Sequence, residues 1–169
     1  MSVVQTGLRA LQFLWTLLLI SLIGNIIHDA YAGNPSIINY DMFVAVFGML
    51  SLIYLIPTSI KDGMAIPIVT MALDGLNTLF WLIGGIATAA YLGAHSCSNE
   101  GYASTNVVTN GGPHMKRCRE AQASTAFLWF GFATFAATTV LSIMGGGGNV
   151  NMRGGIGGIR RGAPSMSQV

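Results

Sequence analysis

The chain has 169 residues, of which 52% are hydrophobic and only 8% are charged. Soluble domains carry about 25% charged residues, so this composition cannot cover a water-facing surface and indicates an integral membrane protein. The formal net charge of +2 at pH 7 is too small to indicate a nucleic-acid-binding protein. Four apolar segments with short connections would use most of the chain. We therefore predict one all-α membrane domain over residues 1–144, followed by a short polar tail.

The first two predicted spans cover residues 8–27 and 40–60. A hydrocarbon core of about 30 Å needs about 20 helical residues, so both segments are long enough to cross it. A cleaved signal peptide is the alternative for the first, because residues 30–32 (Ala-Tyr-Ala) resemble a cleavage site. The segment exceeds the usual signal core of about 7–15 residues, and Arg9 is its only basic flank, so we predict retention. We expect Asp41 to lie among the headgroups, near the positive end of its helix dipole.

The third predicted span covers residues 65–94, and the fourth covers residues 121–144. As a helix, the third would be about 45 Å long, which is more than the bilayer core requires. Its single charged residue is Asp74. This carboxylate lies either at the membrane interface or, with Asn77, in an intramembrane polar site. At mid-bilayer a charge costs at least about 2.5–3.5 kcal/mol, which makes such a residue a functional candidate.

Small residues recur at every fourth position late in the third span, at Gly85, Ala89 and Gly93. Residues at this spacing share one face of a helix. In lipid, van der Waals packing is the main force between helices, and small side chains let two backbones approach closely. We therefore predict that these three residues form a helix-packing surface.

The only two cysteines, Cys97 and Cys118, lie in the loop between the third and fourth spans. We predict a disulfide bond, worth about 3 kcal/mol in the chain-entropy model. Two free thiols are the alternative, and we predict no metal site because His95 and His114 lack a recognisable ligand spacing. Disulfides persist in oxidising compartments, so this loop is predicted to be extracellular or lumenal. Four spans then put both termini in the cytoplasm, and an excess of basic residues on that side agrees.

The tail, residues 145–169, is rich in glycine and contains Arg153, Arg160 and Arg161. Such a sequence cannot bury a core, so we predict a flexible cytoplasmic tail. It is either fully solvated or loosely attracted to anionic lipid, at about 1 kcal/mol for each arginine near the surface.

The region 94–130 carries the pattern AHSC-SN-x2-Y, followed by RCREAQASTAFLWF. Three shorter motifs accompany it: Asn39-Tyr40-x-Met42-Phe43, Leu73-Asp74-x-Leu76-Asn77 and the terminal Ser167-Gln168-Val169. Together they resemble the fungal non-classical export protein 2 family of four-span MARVEL-domain proteins. The resemblance runs nearly from end to end, and the cysteine-containing loop is its most specific part.

The resemblance implies a MARVEL-like four-helix bundle in the plasma membrane, located in furrow-like microdomains called eisosomes and responsive to sphingolipid. It implies a link to leaderless protein export as an indirect consequence of membrane organisation. The expected partners are sphingolipid, sterol and anionic lipid, together with further copies of the chain or other eisosome proteins. It implies no catalytic residues. We expect no enzyme activity, cofactor or metal, because the sequence has no nucleophile–base pair, metal motif or phosphate-binding loop.

Two functions stay open at this point. The first is a scaffold that organises membrane microdomains. The second is a small transporter or channel subunit that uses Asp74 and Asn77, although the internal repeats typical of transporters are not present. The substitution Asp74→Asn separates them. Folding and microdomain targeting should survive in a scaffold, whereas a transporter should lose its ion flux.

Overall fold

The computed structural model describes residues 3–31, 33–60 and 66–146. The described residues form five α-helices, four of them long and apolar enough to cross a membrane. The all-helical four-span prediction is therefore confirmed. The predicted tail arginines, Arg153, Arg160 and Arg161, lie outside the described residues. The helices are α1 (Val3–His28), α2 (Ser36–Ile60), α3 (Pro67–Leu92), α4 (Glu100–Thr105) and α5 (His114–Gly146).

The four long helices form an antiparallel bundle in the cyclic order α1, α2, α3, α5. Each packs against two neighbours, and the contact between α3 and α5 is the most extensive. Helices α1 and α3 stand diagonally across the bundle. We call the end that holds the first turns of α1 and α3 and the last turn of α2 the terminal end. The opposite end, which holds α4 and the connection from α1 to α2, is the loop end.

The largest buried side chain in the bundle is Trp81 of α3, which is fully buried. Its indole lies between Gly48 of α2 and Gly131 of α5, where a Cβ atom on Gly131 would overlap the six-membered ring. Because the two glycines have no side chain, three helices approach closely around one aromatic ring. Phe135 of α5 completes the contact, with its ring centroid 5.6 Å from that of Trp81. Dispersion contacts of this kind are the main packing force between helices in lipid.

A disulfide bond joins Cys97, just after α3, to Cys118 in the second turn of α5, with a Cα–Cα distance of 5.6 Å. The predicted bond is therefore confirmed. The neighbouring Arg117 is fully buried and donates hydrogen bonds to the carbonyls of Ile26 (2.9 Å) and Val108 (3.2 Å). A cation at the C-terminal end of α1 satisfies carbonyls that the helix leaves free and complements its dipole. The loop end is thus tied covalently and by hydrogen bonds.

Two helical segments lie where the sequence analysis placed only a loop. The short α4 begins after Asn99, whose side chain accepts a hydrogen bond from the backbone N–H of Tyr102 at 3.2 Å. Asparagine is a favoured residue at this capping position. Helix α5 begins at His114, directly after Pro113, rather than at residue 121. Both segments are polar, so a search for apolar spans does not detect them.

Candidate functional site

The interior of the bundle holds an ion pair between Arg9 of α1 and Asp74 of α3. The two terminal guanidinium nitrogens of Arg9 donate to the two carboxylate oxygens of Asp74, at 2.5 and 2.7 Å. Arg9 is 2% exposed and Asp74 is fully buried. This two-point geometry is the strongest form of an arginine–carboxylate contact. Because α1 and α3 are diagonal, the pair crosses the interior of the bundle.

The ion pair continues into hydrogen bonds with α5. Arg9 also donates to the side-chain oxygen of Gln12 at 2.9 Å. The amide nitrogen of Gln12 donates to the hydroxyl of Thr138 at 3.0 Å and to the carbonyl of Thr134 at 3.1 Å. We call Arg9, Gln12, Asp74 and Thr138 the interior polar network. It links α1, α3 and α5 through buried side chains.

The position of the ion pair along its two helices can be compared with the thickness of a bilayer. Arg9 and Asp74 follow the starts of their helices by six and seven residues. At about 1.5 Å per residue, both lie about 10 Å from the terminal end. In a bundle centred on a bilayer core of about 30 Å, helices of this length would extend about 4–5 Å beyond it at each end, and the pair would lie about 5 Å below the hydrocarbon boundary. The depth of Asp74 stays a prediction, whereas its burial inside the bundle beside an opposite charge is part of the structure.

Asn77, predicted to form one polar site with Asp74, has different neighbours. Its amide donates to the carbonyl of Leu73 on its own helix at 2.8 Å. Its side-chain oxygen faces Gly48 of α2 and has no hydrogen-bond partner in the part of the chain that the structure describes. The structure therefore gives Asp74 and Asn77 separate environments within α3.

A second buried carboxylate, Asp41 of α2, lies near the loop end. The hydroxyl of Thr88 on α3 donates to one of its oxygens at 2.7 Å. Its other oxygen lies against Gly84 and has no hydrogen-bond partner within residues 3–31, 33–60 and 66–146. Asp41 is fully buried between α2 and α3 rather than exposed on the bundle surface, and its predicted depth near the headgroups stays a prediction. Gly84 has no side chain and so leaves room for the carboxylate of Asp41, and Thr88 donates a hydrogen bond to that carboxylate.

The three small residues of the predicted packing surface occupy different positions. Gly85 is buried against α5, where a Cβ atom would lie 3.4 Å from the indole of Trp129. Ala89 is half-buried one turn later. Gly93 is exposed and ends α3 with a φ of 62°, and its N–H donates to the carbonyl of Ala89 at 2.9 Å. Glycine adopts this positive φ without a steric penalty, so Gly93 terminates the helix rather than extending its packing face.

Charged residues at the loop end fasten α1 to α5. Lys116 donates to the carboxylate of Asp29 at 2.6 Å, and this contact, with a second from His28, holds the pKa of Asp29 below its usual range. Asn25 donates to Glu120 across the same interface. In the described segments, no group of three or more His, Cys, Asp or Glu side chains could hold a metal ion. Apart from Asn77, which bonds only to its own helix, the polar side chains described above connect different helices or the loop end.

The chain is similar to the membrane-associating (MARVEL) domain, which matches residues 2–141. It is 34% identical to Non-classical export protein 2 of Saccharomyces cerevisiae, over 96% of this chain and 95% of that protein. It is also 34% identical to Non-classical export protein 102 of Candida albicans, with the same two coverages. A homologue from Schizosaccharomyces pombe is 31% identical over 66% of this chain and 60% of its own length. No solved structure matches the chain.

Proposed function

Because the chain belongs to the family of membrane-associating (MARVEL) domains and to that of the non-classical export proteins, we propose that it is a scaffold that organises plasma-membrane microdomains. In this proposal it resides in eisosome-type furrows, with both termini in the cytoplasm, and it responds to sphingolipid. The export role that its relatives' names carry is then an indirect consequence of membrane organisation.

The observation that carries this proposal is the pairing of Asp74 with Arg9. A carboxylate that moves a cation or a proton across a membrane needs an oxygen that can exchange its partner. Both oxygens of Asp74 accept hydrogen bonds from one buried guanidinium. The pair joins diagonal helices, so it holds the bundle together as one unit. That arrangement favours a structural role over the alternative of a transporter or channel subunit.

The outer surface of the bundle supports a protein that works through lipid contact. Large apolar side chains are exposed on every long helix, including Leu17, Ile53, Leu79 and Val140. Such a surface suits a hydrocarbon solvent. The lipid partners in this proposal are sphingolipid, sterol and anionic lipid. Further copies of the chain and other eisosome proteins are the proposed protein partners.

Imaging of the fluorescently tagged chain in fungal cells tests the proposal. We expect stable patches at the cell surface that redistribute within minutes to hours when the first step of sphingolipid synthesis is inhibited. A single-span plasma-membrane protein carrying the same tag is the control, and its distribution should not change. A uniform distribution of the chain both before and after inhibition would contradict the scaffold.

Ion flux in reconstituted vesicles tests the transport alternative. Asp74→Asn cannot distinguish a loss of transport from a loss of stability, because it leaves Arg9 buried without its counter-charge. The double variant Arg9→Met/Asp74→Leu removes both charges together and is expected to fold. We expect no flux in the wild type or in this variant. A flux that the wild type shows and the double variant lacks would establish transport in place of the scaffold.

A further inference from the structure

Asp41 of α2 is a buried carboxyl group with no positive charge beside it. Its side chain is fully buried, as is that of Asp74, which the guanidinium of Arg9 neutralises. None of the ion pairs among residues 3–31, 33–60 and 66–146 includes Asp41, so no basic nitrogen of these residues lies within 4.0 Å of it. The two fully buried carboxyl groups therefore differ in how a negative charge could be balanced.

The immediate surroundings of Asp41 supply a single hydrogen-bond partner, the hydroxyl of Thr88 at 2.7 Å. The other carboxyl oxygen lies in the space left by Gly84. A Cβ atom on Gly84 would be 3.1 Å from that oxygen, 3.2 Å from a methyl group of Leu128 and 3.7 Å from the ring of Tyr40. That oxygen therefore faces an apolar wall made by α2, α3 and α5.

The titratable group that faces this space is Tyr40, whose hydroxyl donates to the carbonyl of Phe80 at 3.3 Å. The residues that α3 and α5 place there are glycine, threonine and leucine, which do not titrate. The charged side chains that join α1 to α5 at the loop end have other partners: Asp29, Lys116, Arg117 and Glu120. Within the described segments, Asp41 therefore contacts one neutral donor and no charged group.

A carboxylic acid fits this position better than a carboxylate does. An unpaired carboxylate in a low-dielectric interior costs far more than one hydrogen bond returns, and such groups take up a proton instead. The distance between Asp41 and Thr88 is usual for an O–H···O bond in either direction. When the acid donates to Thr88, the threonine hydroxyl can donate to a carbonyl one turn earlier, as those of Thr16 and Thr78 do in their helices.

We propose that Asp41 is a proton-binding site, whose side chain is a neutral carboxylic acid that donates to Thr88 while α2 and α3 are packed together. On ionisation the O–H bond of the acid breaks, its proton passes to water, and Thr88 reverses its hydroxyl to donate to the new carboxylate. The second carboxylate oxygen then carries charge against Gly84 without a donor. Ionisation therefore favours separation of α2 from α3, whose contact is the least extensive of the four between neighbouring long helices.

The proton would reach Asp41 from the loop end of the bundle. Asp41 follows the start of α2 by five residues, which puts it about 8 Å from that end of the helix. In the proposed function the loop end faces the outside of the cell, so the packing of α2 against α3 would respond to external acidity. The side from which the proton arrives thus rests on the proposed function, whereas the protonation of Asp41 does not.

Infrared spectroscopy of the full chain in detergent micelles tests for this proton. A protonated carboxyl group has a carbonyl band that ionised carboxylates and amides lack. At about pH 6, where ordinary Asp and Glu side chains are ionised, we expect this band in the wild type and its loss in Asp41→Asn. Asp29→Asn is the matched control and should keep the band, because Lys116 holds the pKa of Asp29 below its usual range. A wild type without the band, or an equal band in Asp41→Asn, would overturn the assignment.

Thr88→Val tests the hydrogen bond of the acid while Asp41 stays in place. Valine resembles threonine in shape but has no hydroxyl, so the acid loses its acceptor and its carbonyl band should shift. Thr78→Val is the control, because Thr78 bonds to the carbonyl of Asp74 and to Thr139 and does not bond to Asp41. Its band should match that of the wild type. A band that Thr88→Val leaves at the same frequency would disprove donation to Thr88.

The pH dependence of unfolding gives a second measurement on the same chain. The folded chain holds a proton at Asp41 that the unfolded chain releases, so stability falls as pH rises. Between about pH 5 and pH 6, the unfolding constant of the wild type should rise about tenfold relative to that of Asp41→Asn. The amide of asparagine can donate to Thr88 as the acid does, so this variant is expected to fold. A ratio of the two constants that stays level or falls with pH would refute the coupling.

Both measurements use the purified chain, so they succeed or fail independently of the scaffold proposal. An acid band in a chain that forms no patches in cells would count against the scaffold alone. Patches that respond to sphingolipid, in a chain without the acid band, would count against the proton-binding site alone.

Discussion

The ion pair between Arg9 and Asp74 gives the sharpest prediction for the stability of the bundle. Asp74→Leu removes the counter-charge of a guanidinium that is 2% exposed. Removing one partner of a buried ion pair costs about 3–5 kcal/mol, because the remaining charge stays buried without a counter-charge. The pair lies about 10 Å from the terminal end, so the long Arg9 side chain can partly reach the headgroups. We therefore expect the lower value, a loss of about 3 kcal/mol.

The two single variants and the double variant form a thermodynamic cycle. Arg9→Met should also cost about 3 kcal/mol, because it leaves the carboxylate of Asp74 without a cation. The double variant Arg9→Met/Asp74→Leu should lie within about 1 kcal/mol of the wild type, since replacing both partners of a buried pair is often nearly neutral. The expected coupling energy is therefore at least about 5 kcal/mol.

Reversible unfolding in mixed detergent micelles, followed by far-ultraviolet circular dichroism, measures these differences. Arg119→Met is the matched control, because it removes an exposed arginine at the loop end. It should change stability by no more than about 0.5 kcal/mol. If the losses of the single variants simply add in the double variant, then Arg9 and Asp74 are not coupled and the interior network does not hold the bundle together.

Two further substitutions test the packing and the covalent link. Gly131→Ala should lower stability by at least about 3 kcal/mol, because its methyl group would overlap the fully buried indole of Trp81. Gly75→Ala, where a Cβ atom meets nothing within 4 Å, is the control, and equal unfolding midpoints would contradict the contact. Cys97→Ser should lower stability by about 3 kcal/mol through loss of the bond to Cys118. Non-reducing peptide mapping checks that bond, and two thiols alkylated without reductant would disprove it.

The spans and the disulfide could be predicted because each depends on a property that is local in the sequence. The number of spans follows from comparing the length of each apolar segment with the thickness of the bilayer core. The bond between Cys97 and Cys118 follows from their being the only two cysteines, in one loop. Polar helical turns are not detected by such a search, so α4 and the start of α5 cannot be predicted from apolar length.

The partner of Asp74 required information on how the helices are arranged. In the sequence alone, Arg9 is a basic residue that flanks the first predicted span. Both residues lie about 10 Å from the same end of their helices, so matching the depths of opposite charges could have suggested the pair. Hydropathy does not reveal which helices stand diagonally. Spacing within α3 also does not show which helix faces each small residue, so the contact of Gly84 with Asp41 could not be predicted from it.

The diagonal ion pair has a consequence for how the chain is made. Ribosomes deliver α1 to the membrane before α3, so Arg9 enters the lipid while its counter-charge has not yet been synthesised. Helix α3 is the least apolar of the four spans, and Asp74 adds to the cost of its insertion. Arg9 of α1 is already in the membrane when α3 inserts, and its positive charge offsets the cost of inserting Asp74. A chain that stalls after α2 lacks Asp74, so its Arg9 keeps a charge that nothing in α3 compensates.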